Sequence, residues 1–200
     1  GCLCDKIGPL GMGHGRQLRT TQQDALTVMV ANDKGQVIVP TGGGKTMCMI
    51  KDSQEYLDAC DRGIVVVVAP RILLAEQLSA EFLEFHTDVA VMHVHSGETH
   101  HFSSTRPSII RNWSQQAYRK QLIFTTYHSL PRLMEAEINV DCIYFDEAHN
   151  SVQRNFFPAT EHFSSTATRC YFFTATPKHS LTVSKPGMND PEVYGQVIHN

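Results

Sequence analysis

The sequence predicts an α/β fold, a mainly parallel sheet with helices on both of its faces. Three observations predict it. From Leu18 onward short apolar runs alternate with amphipathic stretches. Residues 64–69 are apolar throughout, as a strand buried on both faces must be. The clearest polar signals follow directly after such runs, and parallel sheets bind their ligands beyond the carboxyl ends of their strands.

The elements follow in order. Residues 1–15, with Pro9, Gly11, Gly13 and Gly15, are expected to form a flexible lead-in. Residues 36–39 read as a strand, followed by a glycine-rich turn and a helix over 45–60. After the strand at 64–69, Leu73, Leu74, Leu78 and Phe82 stand near helical spacing within 71–85. Further strands are expected at 89–94, 121–125, 140–145 and 170–174, with a helix over 108–120 and another before residue 140. Intervening helices make these strands βαβ units, whose long crossovers suit parallel pairing. The domain is expected to span 16–182, and 183–200 to begin a connection onward.

Composition bounds the function. A chain of 200 residues with 42% hydrophobic content can bury one core, which excludes wholesale disorder. With 17 basic and 20 acidic side chains the net charge is −3, so bulk charge does not hold nucleic acid and any strand contact needs a local groove. The cysteines form no CxxC pair. Cys48, Cys60, Cys142 and Cys170 fall in or beside expected elements and read as reduced, buried thiols, which suits an intracellular compartment, cytoplasmic or nuclear. Cys2 and Cys4 read as part of a disordered end rather than a metal clip. No apolar stretch has the length of a membrane span, and the first residues lack the charged start and apolar run of a signal peptide.

Pro40-Thr41-Gly42-Gly43-Gly44-Lys45-Thr46 lies directly after a strand and directly before a helix. Its glycines let backbone wrap a phosphate, and the helix start adds amide donors and the positive end of a dipole. Lys45 can reach the β- and γ-phosphates, and the Thr46 hydroxyl can ligate Mg²⁺. The usual GxxxxGK[ST] spacing fails at its first position, where Val39 stands, and a plain turn beside a surface lysine is the rival reading. The strand–turn–helix context favours the phosphate.

A second signal is Ile143-Tyr144-Phe145-Asp146-Glu147-Ala148-His149, an apolar strand ending in two adjacent carboxylates. Neighbouring strand side chains diverge, so the two acids can take different tasks. Asp146 can hold a magnesium shell through water, and Glu147 can polarise an attacking water as general base. Two solvated acids are the alternative, opposed by the phosphate turn earlier in the chain. His149 reads as a satisfied histidine near the surface.

Together these segments resemble the superfamily 2 helicases and translocases, especially the DEAD/DEAH-box and type III restriction-subunit branches. PTGGGKT and the DEAH box at Asp146–His149 carry the resemblance most specifically; Thr174-Ala175-Thr176 and Ala69-Pro70-Arg71 support it, and Thr125-Thr126-Tyr127 matches more weakly. Leu18-Arg19-Thr20-Thr21-Gln22 resembles the family's opening L-R-x-x-Q element. The resemblance implies a RecA-like P-loop NTPase domain with the TAT strand between the phosphate-loop and DEAH strands. It implies ATP and Mg²⁺ as cofactors, held by Gln22 at the adenine and by Thr41, Gly42, Gly43, Gly44, Lys45 and Thr46 at the phosphates. Arg71 and Thr126 would contact strand phosphates, which position a polymer without reading its sequence. His149, Thr174 and Thr176 would couple hydrolysis to strand movement. A second RecA-like domain with an arginine finger would complete the motor, and the L-R-x-x-Q opening tilts the polymer towards DNA over RNA.

Two other classes fit the sequence less well. A decayed module that binds nucleotide or nucleic acid without turnover should have lost one of Lys45, Asp146 and Glu147, and all are present. A small-molecule P-loop kinase lacks a reason for the TAT and PR segments. His86, His93, His95, His100 and His101 crowd one region, but without cysteines at ligand spacing a polar strand end fits them better than zinc. Trp113 and Tyr118 could stack on bases, though packing against the sheet is the expected role.

Overall fold

The computed structural model describes residues 20–40, 44–116, 118 and 120–200. The expected lead-in, Leu18, Arg19, and Thr41, Gly42 and Gly43 of the phosphate turn lie outside these. The elements run α1 (Thr20–Ala31), β1 (Lys34–Ile38), α2 (Lys45–Ala59), β2 (Gly63–Ala69), α3 (Ile72–Phe85), β3 (Ala90–Val94) and β4 (Phe102–Ser103). They continue as α4 (Pro107–Ser114), β5 (Lys120–Thr126), α5 (Leu130–Glu135), β6 (Cys142–Phe145), a 3₁₀ turn (Ala148–Val152), α6 (Phe157–Thr166), β7 (Arg169–Thr174), α7 (Pro191–Tyr194) and β8 (Val197–His199).

The strands form one sheet in the order β4-β3-β5-β2-β6-β7-β1-β8, with every pair parallel. β7, which ends in Thr174, lies between β1 and β6, where the resemblance places it. The alternation of strand side chains divides the core in two. Val65, Val67, Ala69, Phe124, Tyr144 and Phe173 pack under α1, α2 and α3. Val66, Val68, Ile143, Phe145 and Phe172 pack under α4, α5, α6 and α7. A strand with helices on both faces has no polar side, which is why β2 reads as one apolar run. Trp113 is buried in the second cluster, as the packing reading expects, while Tyr118 stays exposed.

Two expectations need correction. The helix read over 108–120 ends at Ser114, since the chain must straighten to enter β5 at Lys120. The stretch from 183 does not simply lead away. Met188, Val193 and Tyr194 are buried, and β8 adds a parallel edge strand to β1. The Gln36 amide donates to the Gln196 carbonyl at 2.9 Å, and the Gln36 side chain donates to the Met188 carbonyl at 2.8 Å. Gly35 permits this approach, because a Cβ there would stand 2.6 Å from the Ile198 side chain. A three-residue strand and a four-residue helix are too short to show periodicity in sequence.

Candidate nucleotide-binding site

β1 delivers the chain to the carboxyl edge of the sheet, and α2 begins beyond it at Lys45. Gly44, the residue before α2, has φ 79°, a left-handed conformation that L side chains rarely adopt. A Cβ there would also run into the side-chain amide of Gln22, which is thereby placed against the turn from α1. Among the described residues no side chain caps the start of α2. A helix start lacking a side-chain cap is suited to receive an anion.

β6 brings the carboxylates to the same edge. Lys45 Nζ lies 2.9 Å from Asp146 Oδ1 and also contacts Glu147 Oε1, which is 102 residues away in sequence. Asp146 is almost fully buried, while Glu147 is partly open. Glu147 itself adopts a left-handed backbone at φ 49°, a costly conformation for a residue with a Cβ. It marks the bend between β6 and the 3₁₀ turn, and the Asn150 side chain donates to the Glu147 carbonyl at 2.8 Å.

Charge at this site is balanced by proximity. Burial works against the Lys45 ammonium, but Asp146 and then Glu147 outweigh it and hold the lysine above its ordinary range. Burial raises the Asp146 carboxyl, with Lys45 opposing the rise. The Lys45–Asp146 contact is an ion pair without hydrogen-bond alignment, so among the described residues no donor is aligned to the buried Oδ1. A buried, unbonded carboxylate oxygen is suited to a cation or a cation-bound water. The chemistry of the Asp146 carboxylate therefore fits a hydrated magnesium ion.

The remaining expected residues divide. His149 Nδ1 lies 2.8 Å from Thr174 Oγ1, and that hydroxyl accepts the Thr176 amide at 3.1 Å, so the three form one chain from the 3₁₀ turn to the end of β7. His149 also approaches Glu147 Oε2 at 3.8 Å. Arg71 is exposed at the start of α3, open to a ligand. Thr126 is not. It is buried, and its hydroxyl accepts the Ser129 amide at 3.2 Å, so it supports the turn after β5.

Sequence reasoning missed two supports. The Tyr127 hydroxyl donates to the Asp146 carbonyl at 2.7 Å and so ties the β5 exit to the acidic strand end. At the opposite edge Arg169 bonds Asp52 at 2.5 Å and the Met29 carbonyl at 3.0 Å, with Tyr144 donating to the same carboxylate. Tyr127 follows the TTY match and could have been suspected; nothing in the sequence pairs Arg169 with Asp52.

The family described as type III restriction enzyme, res subunit, matches residues 16–179. The chain belongs to this family. Its fold is that of a superfamily 2 helicase N-terminal RecA-like domain. Among solved structures it is similar to a nuclease-deletion mutant of the Type ISP restriction-modification enzyme LlaGI in complex with a DNA substrate mimic, with TM-score 0.75 and 25% identity, over 92% of this chain and 19% of that one. It is similar to the ATP-dependent Type ISP enzyme LlaBIII bound to DNA, with TM-score 0.74 and 24% identity, over 92% of this chain and 15% of that one. The UvsW helicase of bacteriophage T4 shares the fold at TM-score 0.66 and 14% identity, over 93% of this chain and 61% of that one. The chain thus spans about a fifth or less of the Type ISP enzymes it resembles. No curated protein sequence matches it. Among the described residues no helix is long and apolar enough to cross a membrane.

Proposed function

We propose that this res-family domain is the nucleotide-binding half of an ATP-driven nucleic-acid motor, acting in a cell's interior on DNA rather than RNA. The convergence of Lys45 with Asp146 and Glu147 carries the reading. The DNA complex of the LlaGI enzyme supports the choice of polymer. In this role Gln22 bonds the adenine, the turn from Thr41 to Gly44 wraps the phosphates, and Lys45 exchanges its carboxylate partners for the β- and γ-phosphates. Thr46 and Asp146 hold magnesium, which when bound neutralises charge on the γ-phosphate.

Glu147 then receives a proton from the attacking water as the bond between the γ-phosphorus and its bridging oxygen breaks, leaving ADP and phosphate. His149, Thr174 and Thr176 sense the change through their shared hydrogen-bond chain, and Arg71 holds the backbone of the strand without reading bases. A second RecA-like domain closes the site, so the 200 residues alone bind ATP weakly, hydrolyse it slowly and do not unwind a duplex.

Steady-state ATPase assays of the motor with and without DNA test this. Lys45→Ala should abolish hydrolysis, and Glu147→Gln should keep nucleotide binding while slowing turnover by roughly 10²–10⁴-fold. Hydrolysis unchanged in both variants defeats the assignment, and a wild-type protein that binds but never turns over indicates a binding module instead.

A further inference from the structure

The histidine-rich region resolves into a compact arrangement between α3 and β3. Glu76 of α3 and His93 and His95 of β3 offer one ligand atom each, all within 4.8 Å of one another. His93 Nδ1 and His95 Nε2 stand 3.3 Å apart, and the Glu76 carboxylate oxygens lie 3.7 Å from the first and 3.6 Å from the second. Two ligand atoms at about 2.0–2.1 Å from a tetrahedral zinc ion would be about 3.3–3.4 Å apart. The histidine spacing already equals such an edge, and a rotation of the Glu76 carboxylate, whose two oxygens each approach one of the rings, would bring a single oxygen towards both.

Two further observations point to a ligand. Glu76 Oε1 is buried without a hydrogen-bond partner, although it faces His95. His93 Nε2, the nitrogen turned away from the cluster, bonds Ser79 Oγ at 2.9 Å, the outer partner that fixes a metal-binding imidazole. Both rings are buried, so their positions are set by packing rather than chosen by solvent. His101 stacks on His93 at 4.5 Å between ring centres and holds that ring from the β4 side.

We infer that Glu76, His93 and His95 form a binding site for a divalent transition-metal ion of the zinc class, with its fourth position towards the surface depression that Glu76 shares with Gly97, Glu98, Thr99 and His100. Imidazole nitrogens with one carboxylate select zinc and its neighbours over magnesium or calcium. Binding has a structural consequence. His95 Nδ1 now accepts the Gly97 amide at 3.1 Å, whereas a neutral imidazole that ligates through Nε2 carries its proton on Nδ1. The ion therefore turns the Gly97 amide away and shifts the 96–100 segment. It also clamps α3, the helix that begins after Arg71, to β3.

The rival is a neutral hydrogen-bond chain from Ser79 through His93 and His95 to Gly97, with no ion. Titration of the metal-free 200-residue chain with Zn²⁺ alone, and with Co²⁺ for its visible spectrum, separates the two. We expect a single ion per chain with four-coordinate Co²⁺ bands, and chemical shift changes at 96–100 on zinc loading. Ser79→Ala should weaken binding by roughly 10–100-fold, and Glu76→Gln and His95→Ala by more. Glu76→Gln is conservative and partly exposed, so it reports on binding even if His95→Ala fails to fold. The inference is overturned by no binding to the wild type, by affinity unchanged in Glu76→Gln, or by a thiolate–cobalt band that places the ion on cysteine.

Discussion

Two buried cation–carboxylate clusters stand at opposite ends of the parallel strands of one sheet. Lys45 and Asp146 lie beyond the carboxyl ends of β1 and β6, with side chains 13% and 1% exposed. Arg169 and Asp52 lie at the start of β7, with side chains 12% and 1% exposed. Burial and charge do not distinguish them. Bonding does. Asp52 is held by Arg169 and by the Tyr144 hydroxyl, and Arg169 also bonds the Met29 carbonyl, whereas Asp146 Oδ1 meets the ammonium of Lys45, which it shares with Glu147, and has no aligned hydrogen-bond donor among the described residues. Arg169 Nε is also unbonded, but it is a donor and invites no cation. The difference is between a carboxylate oxygen at a strand end that meets a shared lysine without an aligned donor and a carboxylate whose acceptors are used up.

Predictions follow from the contrast, the largest effect first. Arg169→Met should destabilise the fold by roughly 3–5 kcal/mol, because it strands a buried carboxylate, and the nucleotide affinity of the protein that remains folded should not change. Urea unfolding beside nucleotide titration checks both halves. If Arg169→Met left stability intact and removed nucleotide binding, the contrast between the two edges would be wrong.

His86 supplies the pH test. Burial lowers its pKa from 6.5 to about 4, Asp58 opposing and Lys120 and Lys51 assisting, and its Nε2 lies 2.9 Å from Ser53 Oγ. The folded state thus favours the neutral ring, and the unfolded state takes up the proton first. The contribution of His86 is full above about pH 6.5 and is lost as pH falls towards 4, by roughly 3 kcal/mol at most. His86→Phe, stacked on Phe82 as the imidazole is, should flatten that acid limb in denaturation curves taken at several pH values.

Smaller effects are expected at the Lys45–Asp146 edge. Tyr127→Phe removes the hydrogen bond to the Asp146 carbonyl and should cost about 1 kcal/mol in unfolding, with ATPase reduced but not abolished. Arg71→Ala should weaken strand binding about equally for all sequences and reduce its salt slope by about one counterion. An unchanged slope in fluorescence-anisotropy titrations would remove Arg71 from the strand track.

Much of this was legible before the fold was seen, and for physical reasons. The sheet strands β1, β2, β5, β6 and β7 are apolar because both faces are covered, so their runs and order survive in one dimension. The placement of Lys45, Asp146 and Glu147 at strand ends was legible because each sits in a local pattern dictated by backbone geometry: a left-handed glycine before a helix, and acids at the end of an apolar strand. For Thr126, a linear match to a contact motif does not report that the side chain is buried or that its hydroxyl accepts the amide of a turn. The edge strand β8 and the Glu76–His93–His95 cluster were not legible. The first is too short to show a period, and the second joins a helix to a strand at a spacing set by packing alone.

The most direct measurement is equilibrium binding of a fluorescent ATP analogue to the 200-residue chain, with and without Mg²⁺, in wild type, Lys45→Ala and Asp146→Asn. The account predicts binding to the wild type that strengthens with Mg²⁺, loss of binding in Lys45→Ala, and loss of the Mg²⁺ effect in Asp146→Asn. Wild-type affinity and Mg²⁺ dependence in both variants would contradict it.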